Sequence, residues 1–198
     1  MGVVELTARE WRGFRREEFP RESWAIEGRV LRARGAGERV DLVTRRRFRD
    51  FDLSFDWRLP PGGNSGVLYR VSEEAEESWQ SGPEMQLLDD LAHPEGRERL
   101  TSCGALYGLL APRRIALPAT EAFFKARLRV QGTRAEHWLS QHLVLAYDLD
   151  DPALKERIAG SKFAAYPRFA AEPEGHIVLQ HHGTDAWFRN LRLEVLGD

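Results

Sequence analysis

The chain has 198 residues, 29 basic and 31 acidic side chains, a formal charge of −2 and 42% hydrophobic residues. That is enough for one domain with a sizeable core, and the near-neutral balance offers nothing to a nucleic acid or an anionic membrane surface. A lone cysteine, Cys103, excludes an internal disulfide; set among small and apolar residues in "TSCGALYG", it reads as a buried structural thiol.

The first residues, "MGVVELTAREWRGF", lack the basic start and sustained apolar run of a secretory signal, so a soluble, cytoplasmic protein is expected. Residues 24–35 contain a Glu27-Gly28 turn between apolar residues, a hairpin signal. The run Arg45-Arg46-Arg47 is short and isolated and reads as an exposed turn or strand end. Phe51, Leu53, Phe55 and Trp57 alternate with Asp52, Ser54 and Asp56, the pattern of a strand with one apolar face. Pro60-Pro61-Gly62-Gly63-Asn64 breaks that strand, and "SGVLYRV" begins the next. In residues 72–79 Ser72 is a candidate cap of a short helix with acids in its first turn. Residues 84–88 alternate again.

The stretch from about 89 to 122 is too long for an idle connection and is expected to fold over a site. Further strands follow in "FKARLRVQG", "AEHWLSQHLVLAYDL", "HIVLQHHG" and "AWFRNLRLEVL". Between them residues 152–159 read as a helix, capped by Asp150 or Asp151, with Pro152 at its first position and Gly160 at its end. With no repeat and no low-complexity linker, residues 1–198 form a single domain. Many strands at short spacing make it all-β, a sandwich or a barrel.

Alternation assigns the polar faces. In "SGVLYRV" the core takes Val67, Tyr69 and Val71, leaving Gly66, Leu68 and Arg70 outside. In "EMQLLDD" it takes Met85 and Leu87, leaving Glu84 and Gln86. In "HIVLQHHG" it takes Ile177 and Leu179, leaving His176, Val178, Gln180 and His182. If these strands share a sheet, Arg70, Glu84, Gln86, Gln180 and a histidine converge on one surface. Planar polar groups of this kind hydrogen-bond sugar hydroxyls in fixed directions, and Trp79, Tyr107, Trp138 and Trp187 are candidates to stack on a ring. The plain alternative is a solvated face with aromatic side chains in the core. His181 and His182, adjacent on a strand, point to opposite faces, and no histidine has ligand spacing, so no metal is indicated. No phosphate-binding glycine loop, dinucleotide fingerprint or nucleophile elbow appears, so no cofactor is expected.

The strings "NSGVLYRV", "PEMQLLDD", "GALYGLLAP", "EHWL", "GHIVLQHHG" and "WFRNLRLEVL", in this order, closely resemble the 3-keto-disaccharide hydrolase domain family, over nearly the whole chain. The resemblance implies a concanavalin-like jelly-roll β-sandwich of two antiparallel sheets with one or two short helices. It implies a hydrolase or lyase acting on small carbohydrates already oxidised to a ketone at C3. Catalysis would fall to Glu84 first, then Asp89 or Asp90, or else His182. Substrate binding would fall to Asn64, Arg70, Gln86, Gln180, Arg189 and Asn190, with Arg70 and Gln86 or Gln180 on the keto oxygen. No cofactor, metal, nucleic acid or membrane is implied, and the oligomeric state is left open.

This chain departs from the family pattern at Phe123-Phe124-Lys125, where a Trp-Asn pair is common. It departs again at Ser140-Gln141, which replaces an Asn-Gly turn. Two other readings compete. One is a non-catalytic lectin-like module. The other is a retaining laminarinase-type glycanase, whose Glu-x-Asp-x-x-Glu string would correspond here to Glu84-x-Gln86-x-x-Asp89.

Overall fold

A computed structural model describes residues 2–113 and 122–197. Along the chain its strands are β1 (Val3–Glu5), β2 (Trp11–Gly13), β3 (Trp24–Glu27), β4 (Val30–Ala33), β5 (Leu42–Thr44), β6 (Phe51–Arg58) and β7 (Asn64–Val71). Then come β8 (Glu84–Leu88), β9 (Phe124–Gln131), β10 (Arg134–Leu139), β11 (His142–Asp148), the helix α1 (Pro152–Ala159), β12 (His176–Leu179) and β13 (Ala186–Val195). All pairings are antiparallel. The larger sheet runs β11-β10-β9-β6-β13-β4-β3, with β1 on β13, and the smaller runs β2-β5-β12-β7-β8.

Two-residue periodicity explains the layering. In β6, Phe51, Leu53, Phe55 and Trp57 are buried while Asp52, Ser54, Asp56 and Arg58 face outward. They meet Val67, Tyr69, Met85, Leu87, Ile177 and Leu179 from the smaller sheet, in one core that also holds Trp11 and Trp24. The two sheets thus form an all-β sandwich with one short α-helix. That helix follows its sequence signals: Asp151 accepts from the Ala153 N–H at 2.9 Å, Pro152 opens it and Gly160 closes it. The β3–β4 hairpin turns at Gly28, whose φ of +64° is the left-handed conformation glycine allows.

A polar chain crosses the core. The Tyr69 hydroxyl donates to Tyr147 at 2.8 Å, and Tyr147 donates to Nε2 of His137 at 3.0 Å. Nδ1 of His137 donates to the Gly104 carbonyl at 2.9 Å. Burial pushes the His137 pKa down to about 4, so the imidazole is neutral, as these partners require. The chain ties the centre of the smaller sheet, through the larger one, to the segment after β8.

That segment closes the edge of β8. Gln86 N–H donates to Ala105 at 3.1 Å, Gly104 N–H to Gln86 at 2.8 Å and Tyr107 N–H to Glu84 at 3.1 Å. The expectation of a site-covering loop falls partly on residues 114–121, which lie outside the described residues.

Residues 72–79 differ from their helical reading. They form turns and one 3₁₀ turn at Ser78–Gln80, capped reciprocally by Glu77 and Gln80 rather than by Ser72. Ion pairs from Glu73 to Arg12 and from Glu74 to Arg168 pull the segment to both sides.

The Ser140-Gln141 turn joins β10 to β11 with Ser140 at φ +54°, a conformation costly for a residue with a Cβ. Ser140→Gly is expected to raise stability by roughly 0.5–1 kcal/mol, read as a higher urea midpoint at unchanged m-value.

Candidate functional site

The outer face of the smaller sheet forms the floor of a cleft of about 790 Å³, within the range of small-ligand sites. Asn64 at the start of β7, Glu84 and Gln86 on β8, and Gln180 just after β12 line it together with His182. Alternation puts them on this face, and β7–β8 pairing sets Gly66 against Gln86 and Leu68 against Glu84. Gln180 is held to the same strand by its N–H, which donates to Gly66 at 2.9 Å. Trp79 and Tyr107 stand on the wall, with Phe14, Phe163 and Phe169 supplying apolar surface.

Gly66 matters for its missing side chain. A Cβ there would lie 2.1 Å from Oε1 of Glu84 and 2.8 Å from its Cδ. The Glu84 side chain therefore rests directly on the strand beside it, and its carboxyl has no hydrogen-bond partner among the described residues. Desolvation, and next the charge of Asp41, push its pKa up to about 8; Lys162 opposes the rise and Glu95 adds to it. At neutral pH Glu84 holds its proton.

Around it lie three amides with unsatisfied oxygens. Oδ1 of Asn64, Oε1 of Gln86 and Oε1 of Gln180 are buried and have no hydrogen-bond partner among the described residues. The other end of the Gln86 amide is fixed, donating to the Thr101 carbonyl at 3.2 Å. Three unpartnered acceptors on residues lining one polar cleft suit a ligand rich in hydroxyl donors.

Asp41, which no sequence signal distinguishes from its neighbours, also lines the cleft. Its carboxylate accepts from Ser78 Oγ at 2.5 Å and from His181 N–H at 2.7 Å, while burial raises its pKa to about 6. His181 is a structural side chain: Nε2 donates to the Arg34 carbonyl at 3.0 Å, Nδ1 accepts from Gly183 N–H at 3.2 Å, and the ring meets Trp24 edge-on. His182 stays exposed at the cleft, its pKa held below the ordinary value by partial desolvation. Lys162, from a 3₁₀ turn after α1, is a second cleft residue that the sequence does not advertise.

Five residues expected at the site lie elsewhere. Arg70 has φ +52°, and beside it the β7–β12 register shifts. The bulge reverses the alternation, so Val71 joins Leu68, Val43 and Val178 on the outer face, against the expectation that it enters the core. Arg70 turns to the end of the sandwich, where it donates to Arg49 and Gly132 carbonyls and pairs with Asp50 at 3.4 Å. Asp89 accepts from the Gly62 and Leu91 N–H groups, and Asp90 from that of Cys103; both hold loops together. Arg189 and Asn190 form a bulge on the other sheet and both bind Asp56.

Of the aromatic candidates, Trp138 and Trp187 lie beneath Arg127 and Arg58 rather than in the cleft. Phe123 is under Arg58 and Arg189, so neither departure from the family pattern lines the cleft. Among the described residues no group of three or more His, Cys, Asp or Glu is arranged to hold a metal ion.

Residues 5–194 match the model of the 3-keto-alpha-glucoside-1,2-lyase-like domain family. A 3-keto-disaccharide hydrolase of Bacteroides thetaiotaomicron is 30% identical, over 94% of this chain and 74% of its own. A candidate glycosyl hydrolase of known structure from Parabacteroides distasonis superposes with a TM-score of 0.91 at 25% identity, covering 99% of this chain and 94% of its own. The laminarinase of Rhodothermus marinus, at a TM-score of 0.57 and 12% identity over 98% and 95% of the two chains, shares the concanavalin-like fold alone.

The raised Glu84 pKa fixes a stability trend. A carboxyl whose folded pKa lies above its unfolded value stabilises the fold fully below about 4.5 and loses that contribution as pH rises through about 8. Glu84→Gln, neutral throughout, is expected to melt with wild type near pH 4.5. Near pH 9 it should be more stable by up to a few kcal/mol, each pKa unit being worth about 1.4 kcal/mol. Melting temperatures of both proteins across this range check the divergence.

Proposed function

The chain belongs to the 3-keto-alpha-glucoside-1,2-lyase-like domain family, and from that premise we propose that it cleaves 3-keto-glycosides by elimination at C1–C2 followed by hydration. The supporting observation is the protonatable, desolvated Glu84 set among three unpartnered amide oxygens. The amides accept from sugar hydroxyls and hold the ring. Glu84, once ionised, is a carboxylate without competing hydrogen bonds and with a pKa near the working pH, the condition for efficient proton transfer.

The chemistry follows from the ketone. A carbonyl at C3 acidifies the C2 proton; Glu84 removes it, and the C–H electron pair forms a C2–C3 double bond as the carbonyl pair moves onto O3. Return of that pair expels the C1 substituent, which takes up a proton. The Tyr107 hydroxyl, on the cleft wall and kept protonated by a pKa pushed up to about 12, is a cleft group that can supply it while Glu84 is ionised. Water then adds to the enone at C1, with a proton at C2, so the sum is hydrolysis. A purely lectin-like role accounts for the amides but leaves the costly burial of Glu84 without a use. The retaining glycanase reading fares worse. Gln86 stands where that mechanism needs a carboxylate, and Asp89 is committed to two backbone amides.

The expected results are specific. A 3-keto-glucoside is cleaved while its unoxidised parent is not, because an ordinary C2 proton is too weak an acid for a carboxylate. In deuterated water the product carries deuterium at C2. The pH profile of kcat/KM rises to a plateau above about 8, following ionisation of Glu84. Glu84→Gln lowers kcat by about 10²–10⁴. Equal cleavage of both glycosides, or product without deuterium at C2, would eliminate this mechanism.

A further inference from the structure

Elimination through an enolate requires a positive or hydrogen-donating group for O3, and the three buried, unpartnered oxygens of the cleft floor cannot serve. Oδ1 of Asn64 and Oε1 of Gln86 and Gln180 are buried acceptors, which repel a developing oxyanion, and the amide N–H groups of these residues carry no charge to set against it. Arg70 is committed at the end of the sandwich. Arg16, on the cleft wall, pairs with Glu38 at 2.6 Å.

Lys162 is differently placed. Its Nζ sits 4.7 Å from the ring centre of Tyr107 and 5.2 Å from those of Trp79 and Phe163, all three lining the cleft. Lys155, seven residues earlier, pairs with Asp150 at 2.7 Å, but Lys162 has no carboxylate partner among the described residues. Ring faces attract an ammonium without accepting its N–H bonds in the way a carboxylate does, so they hold the charge in place and leave its donors available.

We propose that Lys162 is the group that stabilises the enolate oxygen at C3 while Glu84 takes the C2 proton. The proposal rests on the elimination reading above. When the C2–H bond breaks, its pair enters C2–C3 and the carbonyl pair moves to O3. A full negative charge stands there until it returns and the C1–O bond breaks. An ammonium in a partly dewatered cleft stabilises that charge more than it does the neutral ketone, which is what lowers a barrier. The electrostatics around Glu84 agree with the placement: Asp41 and Glu95 push its proton affinity up, and Lys162 is the cation that draws it down.

The test compares wild type, Lys162→Met and Lys162→Arg on a 3-keto-glucoside, following both release of the C1 group and deuterium entry at C2. Lys162→Met is expected to lose about 10²–10³ in kcat for both readouts, with KM changed less than about threefold and the alkaline-rising limb of the pH profile moved upward. Lys162→Arg, which keeps the charge, is expected to retain activity within about tenfold of wild type. The side chain is exposed, so an unchanged melting temperature in both variants excludes misfolding as the cause. Deuterium entry at the wild-type rate in Lys162→Met overturns the lysine's role and leaves the elimination intact. Failure of wild type itself to cleave the 3-keto-glucoside overturns the elimination, and the role of Lys162 falls with it.

Discussion

The cleft depends on one close approach, that of the Glu84 side chain to the bare Cα of Gly66. On any other residue the Cβ would occupy the space of the carboxyl, since the nearest oxygen would be 2.1 Å away. With glycine there, the side chain lies along the sheet instead of standing in water, and only 7% of the residue remains exposed. Its raised proton affinity follows from that position, because a carboxylate removed from water is destabilised relative to its acid. The three unpartnered amide oxygens share the same floor. Each costs free energy in the empty protein that a bound hydroxyl would restore. A sheet face that keeps such groups is organised for a ligand at the expense of stability.

Two bulges decide what else the cleft contains. In β7 the left-handed Arg70 shifts the strand by one position, directing the guanidinium to Gly132 and Asp50 and leaving Val71 on the outer face. In β13 Asn190, with φ +53°, does the same for a strand of the larger sheet, so that Arg189 and Asn190 both reach Asp56. Both are structural clamps across strands. The cations left to the cleft come from loops and turns, among them Lys162. The buried chain from Tyr69 through Tyr147 and His137 to Gly104 has a complementary role. It anchors the segment that brings Tyr107 to the cleft wall, through groups that stay neutral and fully bonded.

Most strands were legible because their evidence is local. Phe51, Leu53, Phe55 and Trp57 identify β6 without reference to any other part of the chain, and Asp151, Pro152 and Gly160 mark both ends of α1. The same period-two rule places Glu84, Gln86 and Gln180 on one face, since their strands keep regular alternation up to those positions. It misplaces Arg70 because nothing in "SGVLYRV" announces a left-handed arginine. It also leaves residues 72–79 looking helical, because the ion pairs that hold them in turns come from Arg12 and Arg168.

The sequence by itself determined the class of fold, the identity of most strands and the polar residues that alternate with the core. These follow from side-chain period and turn chemistry, which act over a few residues. Only the tertiary structure decided which of those residues meet. It brought Asp41 and Lys162 to Glu84 from segments separated by 43 and 78 positions in the numbering and committed Asp89 and Asp90 to backbone amides. It also set the proton affinity of Glu84. Desolvation and charge–charge coupling depend on distance in space, and strand order and bulges set that distance where local pattern cannot.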